Sequence, residues 1–190
     1  VEGTSVTLTV RPKEAPHETR EIKVVRRTIE IPETDSRLID RKGIKVGYVR
    51  LFQFGGLAGR QVRQDVEDLA GKGAQWFILD LRFNGGGLLE QAVTVTSVFQ
   101  TGVVTSTSGL HSPREELEAN GPVATKRPMV VLVNRFSASA SEIVTGALKD
   151  HGRATVIGTR TFGKGLVQTV VGLGNGSALK LTTAVYLTPD

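Results

Sequence analysis

The chain has 190 residues, 39% of them hydrophobic, enough to bury one full core without disulfides or a metal to hold it. It contains no cysteine, which excludes a thiolate nucleophile, disulfides and Cys-type zinc or iron–sulfur sites together. The formal charge of +5 is interspersed with acids, as in KEAPHETREIKVVRR, and with 5% aromatics and no basic run it reads as a solvated face, not a nucleic-acid footprint.

Residues 6–10 (VTLTV) and 21–25 (EIKVV) are β-branched or alternating and flank the polar RPKEAPHETR, so they predict a hairpin whose long loop holds His17. Residues 31–43, IPETDSRLIDRKG, read as a linker or excursion, which places a domain boundary near residue 30. KVGYVRLFQF reads as a strand. In LAGRQVRQDVEDLAGKG, Val62, Val66 and Leu69 fall at i, i+4 and i+7, and Gly71 and Gly73 stop the helix. WFILDL is a continuous apolar run, as expected of a strand covered on both faces. A glycine loop, NGGG, follows, then a helix over about 88–99, a strand GVVTST, and a polar loop holding His111 and REELEANG.

MVVLVN reads as a buried strand, SASEIVTGALKD as a helix, ATVIG as a strand, and LVQTVV with ALKLTTAVYL as closing strands. From residue 46 the order is repeated strand then helix, which predicts an α/β core with a largely parallel sheet and helices packed over it. No run approaches the roughly eighteen apolar residues of a membrane span. Val1 does not open a signal peptide, and a start without Met and mid-pattern reads as a fragment.

Two stretches carry chemistry. GTRTFGKG (158–165) lies close to the phosphate-binding pattern G-x-x-x-x-G-K-[ST], but Gly165 stands where the metal-binding hydroxyl belongs. LVQTVVGLG after it favours strand over the helix that such a loop opens. In NRFSASASEIVTGALKD, a buried strand ends at Asn134, and Ser137, Ser139 and Ser141 cluster where a helix must begin. A hydroxyl there sits among free backbone N–H groups at the positive end of a helix dipole, suited to a developing oxyanion. The bland reading is equally visible, because Ser139 and Glu142 match the capping box S-x-x-E.

A serine nucleophile needs a base. His151 is separated from Ser139 by the length of one helix, about 18 Å at 1.5 Å per residue, and His17 and His111 lie in polar loops. A Ser-Lys pair is the remaining arrangement. Lys164, bracketed by Gly163 and Gly165, would need an apolar enclosure to serve as a base near neutral pH; the alternative is an exposed lysine on a glycine turn.

Taken together and in this order, ILDLRFNGGG, NRFSASASEIVTGALKDHGRATVIG and TRTFGKGLVQTVV resemble the C-terminal processing peptidases, also called tail-specific proteases, over residues 46–189. The resemblance implies an α/β core of repeated ββα units like that of the crotonases and Clp peptidases over residues 31–190, with residues 1–30 as the last strands of a preceding PDZ domain. It implies Ser139 as nucleophile, Lys164 as base, Gln168 as the residue that orients the amine, and the N–H groups of Gly87 and Ala140 as oxyanion donors. Asp80, Arg82 and Glu142 also match its motif and are expected to be structural, the first two pairing to fix the glycine loop and Glu142 capping its helix. No cofactor is implied, and three histidines far apart in sequence give no metal cluster.

Expected partners are protein or peptide substrates with apolar, unstructured C-termini, in an extracytoplasmic place such as the bacterial periplasm, cell envelope or thylakoid lumen. Peripheral membrane association is left open. Phe83 and Val185 depart from the family's usual Asn and Arg, and LVQTVV resembles the branch in photosynthetic organisms. The rival from another class is an inactive module of the same fold that only binds tails.

Overall fold

A computed structural model describes residues 1–29, 31–109 and 112–190, so His111 lies outside the described residues. The chain forms two compact units, Val1–Pro32 and Glu33–Asp190. In the first, β1 (Ser5–Val10) and β2 (Arg20–Val25) form the expected antiparallel hairpin, with Ser5 opposite Val25 and Val10 opposite Arg20, and His17 in its exposed loop. No residue of β2 is buried, and a two-stranded hairpin of this kind is marginal by itself.

The second unit runs β3 (Thr34–Arg41), β4 (Ile44–Leu51), α1 (Ala58–Gly71), β5 (Trp76–Asp80), α2 (Leu89–Ser97), β6 (Gly102–Gly109), β7 (Ser112–Ala119), β8 (Met129–Val133), α3 (Ala140–Asp150), β9 (Thr155–Gly158), β10 (Leu166–Gly172) and β11 (Ala178–Leu187). One sheet has the order β3-β4-β5-β8-β9, parallel from β4 onward. The other, β10-β11-β6-β7, is antiparallel throughout. The fold is mixed α/β.

Val62, Val66 and Leu69 of α1 are buried, as their spacing requires, and Ile143, Val144, Ala147 and Leu148 give α3 the same kind of inner face. These faces meet alternate residues of the parallel strands: Val49 and Leu51, Phe77 and Leu79, Val131 and Val133.

Three expectations need correction. Residues 31–43 are not a linker, because β3 pairs with β4 through a tight turn in which Lys42 and Gly43 take φ of 54° and 82°, the conformation that suits a two-residue hairpin. REELEA is strand β7 instead of loop. Its charged, exposed residues suit the edge position that the sheet order gives it, and pairing with β6 overrides its helix-favouring composition. WFILDL is not an apolar run covered on both faces: Phe77, Leu79 and Leu81 are buried on one, whereas the other carries Trp76, 50% exposed, the partly buried Ile78 and the buried but charged Asp80.

Candidate active site

The strands β5, β8 and β9 end at the same edge of the sheet, where loops of a parallel sheet assemble binding sites. The loop after β5 is stiffened by its own polar residues. Asp80, buried, accepts from Arg82 Nε and Nη2 at 2.9 and 2.7 Å and from the Tyr48 hydroxyl at 2.6 Å. Burial pushes the Asp80 carboxyl up, but these hydrogen bonds outweigh it and hold the group below its ordinary value. Asn84 staples the glycine loop: its Nδ2 donates to the Leu51 carbonyl at 2.9 Å, its Oδ1 accepts from Gly86 N–H at 2.9 Å, and its carbonyl accepts from Ala138 N–H and Ser141 Oγ at 3.1 and 2.9 Å.

Ser139 caps α3 in a strained conformation, φ 56° and ψ −119°. Only small neighbours permit it: a Cβ on Gly86 would lie 2.7 Å from both the Ala138 carbonyl oxygen and Ser139 Cβ. Ser137 Oγ, which donates to the Leu81 carbonyl at 2.8 Å, ties this turn to the loop after β5.

Glu142 joins the serine turn to the lysine loop. Its Oε2 accepts from the N–H groups of Ser139 and Lys164, each at 2.9 Å, and its Oε1 accepts from Thr161 Oγ1 and Gly163 N–H at 2.7 and 2.6 Å. Bonds to a carboxylate are about twice as strong as neutral ones, so four of them lock two loops against each other. Glu142 thus caps its helix, as its motif suggests, and also holds the segment of Lys164. Tyr186 on β11 adds a second bridge. Its hydroxyl donates to the Lys164 carbonyl and reaches the Ser139 carbonyl at 3.5 Å. Burial and then the Glu142 carboxylate push this phenol above its ordinary value, which keeps it a donor.

Gly87, Ser139, Ala140, Lys164, Gln168 and Tyr186 line one groove of about 630 Å³. Phe54 N–H donates to Gly86 O at 3.0 Å and Leu88 N–H donates to Phe54 O at 2.8 Å, a parallel bridge that turns the N–H of Gly87 away from Phe54. Neither this N–H nor that of Ala140 has an acceptor among the described residues. Lys164 is partly exposed instead of enclosed, Gln168 is exposed, and no hydrogen bond joins the lysine amine to the Ser139 hydroxyl or to Gln168. His151 closes the far end of α3, its Nε2 2.7 Å from the Val103 carbonyl.

The structure therefore gathers Ser139, Ala140, Lys164, Gln168 and Gly87 around one space, with Glu142 tethering two loops behind it and Asp80–Arg82 at the base of the glycine loop. Sequence reasoning missed Asn84 and Tyr186. An asparagine directly before three glycines was a visible turn signal for the first, whereas nothing local marks Tyr186. Phe83 holds φ 65°, with its N–H donating to Asn134 Oδ1 at 3.1 Å, and Val185 is exposed on β11.

An amine, a hydroxyl at a helix N-terminus and two unfilled N–H groups in one groove are the parts of acyl-transfer chemistry. The comparisons with known proteins agree. The chain is 42% identical to a carboxy-terminal-processing protease of Bartonella bacilliformis over 99% of its length, covering 44% of that protein. It is 41% identical to a carboxyl-terminal-processing protease of a Synechocystis species over 90% of its length, covering 40% of that one, so identity singles out no branch. A solved structure, the photosystem II D1 C-terminal processing protease, superposes with a TM-score of 0.76 at 34% identity over 99% of this chain and 52% of that one. The profile of peptidase family S41 matches residues 45–190, which include the serine turn, the lysine loop and the glycine loop, and the chain belongs to that family.

Proposed function

We propose that the chain is the core of a serine endopeptidase that cleaves proteins near their C-termini through an acyl-enzyme. The observation that carries this reading is the convergence of Ser139, Lys164 and the unfilled N–H groups of Gly87 and Ala140 on one groove. Lys164 takes the proton of the Ser139 hydroxyl while Oγ attacks the scissile carbonyl. The two N–H groups receive the oxyanion. Lys164 then returns its proton to the departing amine, leaving an ester on Ser139. Water, deprotonated by Lys164, hydrolyses the ester and frees the serine. Gln168 orients the lysine amine. Ser139 lines the groove in a strained backbone conformation, φ 56° and ψ −119°.

The finer readings stand with this proposal: the hairpin as the end of a PDZ domain, the core as a spiral of ββα units, substrates with apolar unstructured tails, and an extracytoplasmic location. The processing for which the relatives are named supports the reaction class. A second reading, capture of tails without cleavage, is favoured by one observation, the absence of a hydrogen bond between Lys164 and Ser139.

The test uses the full-length protein, incubated with a protein that ends in an unstructured apolar tail, beside a Lys164→Ala control, with products followed by mass spectrometry. Truncation by the parent and not by the control supports the peptidase. Tails left intact by both, despite measurable tail binding, leave the binding module.

A further inference from the structure

Strands β4, β5, β8 and β9 lie side by side, and at or just past the C-terminal end of each stands an arginine followed within two residues by a phenylalanine: Arg50, within β4, and Phe52; Arg82 and Phe83; Arg135 and Phe136; Arg160 and Phe162. The register sets Arg50, Asp80, Leu132 and Ile157 side by side, so Arg82 stands two residues and Arg135 and Arg160 three residues beyond the level of Arg50, all toward the C-terminal edge. At about 4.8 Å per strand the row is roughly 14 Å long.

All four rings are exposed, Phe52 by 44%, Phe83 by 63%, Phe136 by 47% and Phe162 by 68%. Several are pre-arranged. Phe83 stacks on Phe136 with centroids 5.4 Å apart, Arg135 lies 4.7 Å over Phe136, and Arg50 lies 5.0 Å over Phe52. Asn134 Oδ1 accepts from the N–H groups of Phe83 and Phe136, each at 3.1 Å, and holds Phe83 in a left-handed conformation that is costly for a phenylalanine. Arg82 is met by Asp80, but Arg50, Arg135 and Arg160 have no acidic partner among the described residues.

A row of exposed rings beside uncompensated guanidiniums is a recognition surface: rings accept apolar and aromatic side chains, and guanidiniums accept carboxylates. The same loops build the groove. Phe83 precedes Gly87, Phe136 precedes Ser139 and Phe162 precedes Lys164 by a few residues each, so a polypeptide in the groove leaves it close to the row. That continuity favours a polypeptide over a lipid surface as the occupant.

We infer that the Arg/Phe edge is an exosite for a segment of the substrate, outside the cleaved bond, that combines acidic with aromatic or large apolar residues; this rests on the peptidase reading above. The experiment takes the full-length protein with Ser139→Ala and titrates a labelled peptide of mixed Glu and Phe, and its counterpart with Lys for Glu, by fluorescence anisotropy. The acidic peptide is expected to bind about tenfold tighter, with a preference that falls with salt. Phe83→Asn combined with Arg135→Gln and Arg160→Gln is expected to erase that preference. Unchanged hydrolysis of a short peptide confined to the groove, in the background that keeps Ser139, shows that these variants fold.

Equal affinity for both peptides, or a preference indifferent to the three substitutions, overturns the exosite. Loss of binding to phosphatidylserine vesicles in the variants with peptide affinity intact overturns it in favour of a membrane surface. A preference erased by the variants, in a protein that cleaves no peptide at all, supports the exosite and overturns only the peptidase reading.

Discussion

Ser139 holds a backbone conformation, φ 56° and ψ −119°, that costs an L-residue about 1–3 kcal/mol. Glycine adopts it freely. Ser139→Gly is therefore expected to be more stable than Ser139→Ala by about 1 kcal/mol, read from denaturation midpoints, although neither retains a nucleophile. Asp80 makes a different prediction. Its carboxyl is held below its ordinary value in the folded chain, so its stabilisation is complete above the ordinary carboxylate range near pH 4 and is lost as pH falls through the lowered folded value. Asp80→Asn is expected to cost about 2 kcal/mol at pH 7, with the gap to the parent closing as acid unfolding proceeds. A gap that persists in acid would separate the loss from charge. Ser139, Lys164 and Glu142 were legible because their motif is local. Asn84 and Tyr186 act through partners distant in sequence, Leu51 and Lys164, which no local pattern names.

Between elements, the decisive feature is a carboxylate at the start of α3 that receives donors from two loops. Each oxygen of Glu142 accepts two hydrogen bonds, so an amide in its place sets an NH₂ against two donors. Glu142→Gln is expected to lower kcat about 100-fold with little change in KM, because displacing Lys164 from Ser139 by about 1 Å misplaces chemistry more than binding. An equal fall in binding would show that Glu142 shapes the groove instead. Gly86→Ala drives a Cβ against the serine turn, with positive φ besides, and is expected to cost about 3 kcal/mol in urea unfolding together with most of the activity. At this scale the alternating and helical patterns were legible for α1, α3 and β8. They failed for β3 and β7, where a two-residue turn and an edge position, both settled by pairing, outweighed polar composition.

Over the whole peptidase unit, the groove has two walls of different construction. One side is lined by the glycine loop and the starts of α2 and α3, while on the other β10, carrying Gln168, is an edge strand paired only with β11 and has no buried residue. Amides of β10 are expected to exchange with deuterium faster than those of β5 and β8, and to gain protection when a peptide fills the groove of the Ser139→Ala protein. Protection of β10 equal to that of β5 in the free protein would mean a preformed wall. The sequence by itself determined the α/β class, the serine and lysine loops and the family, because strand and helix periods and compact motifs are short-range properties. Only the tertiary structure decided that Glu142 and Tyr186 clamp two loops, that Lys164 stays partly exposed and unbonded to Ser139, and that four arginine–phenylalanine pairs line up at one edge. Those facts depend on sheet order and register, which bring together residues far apart in the chain.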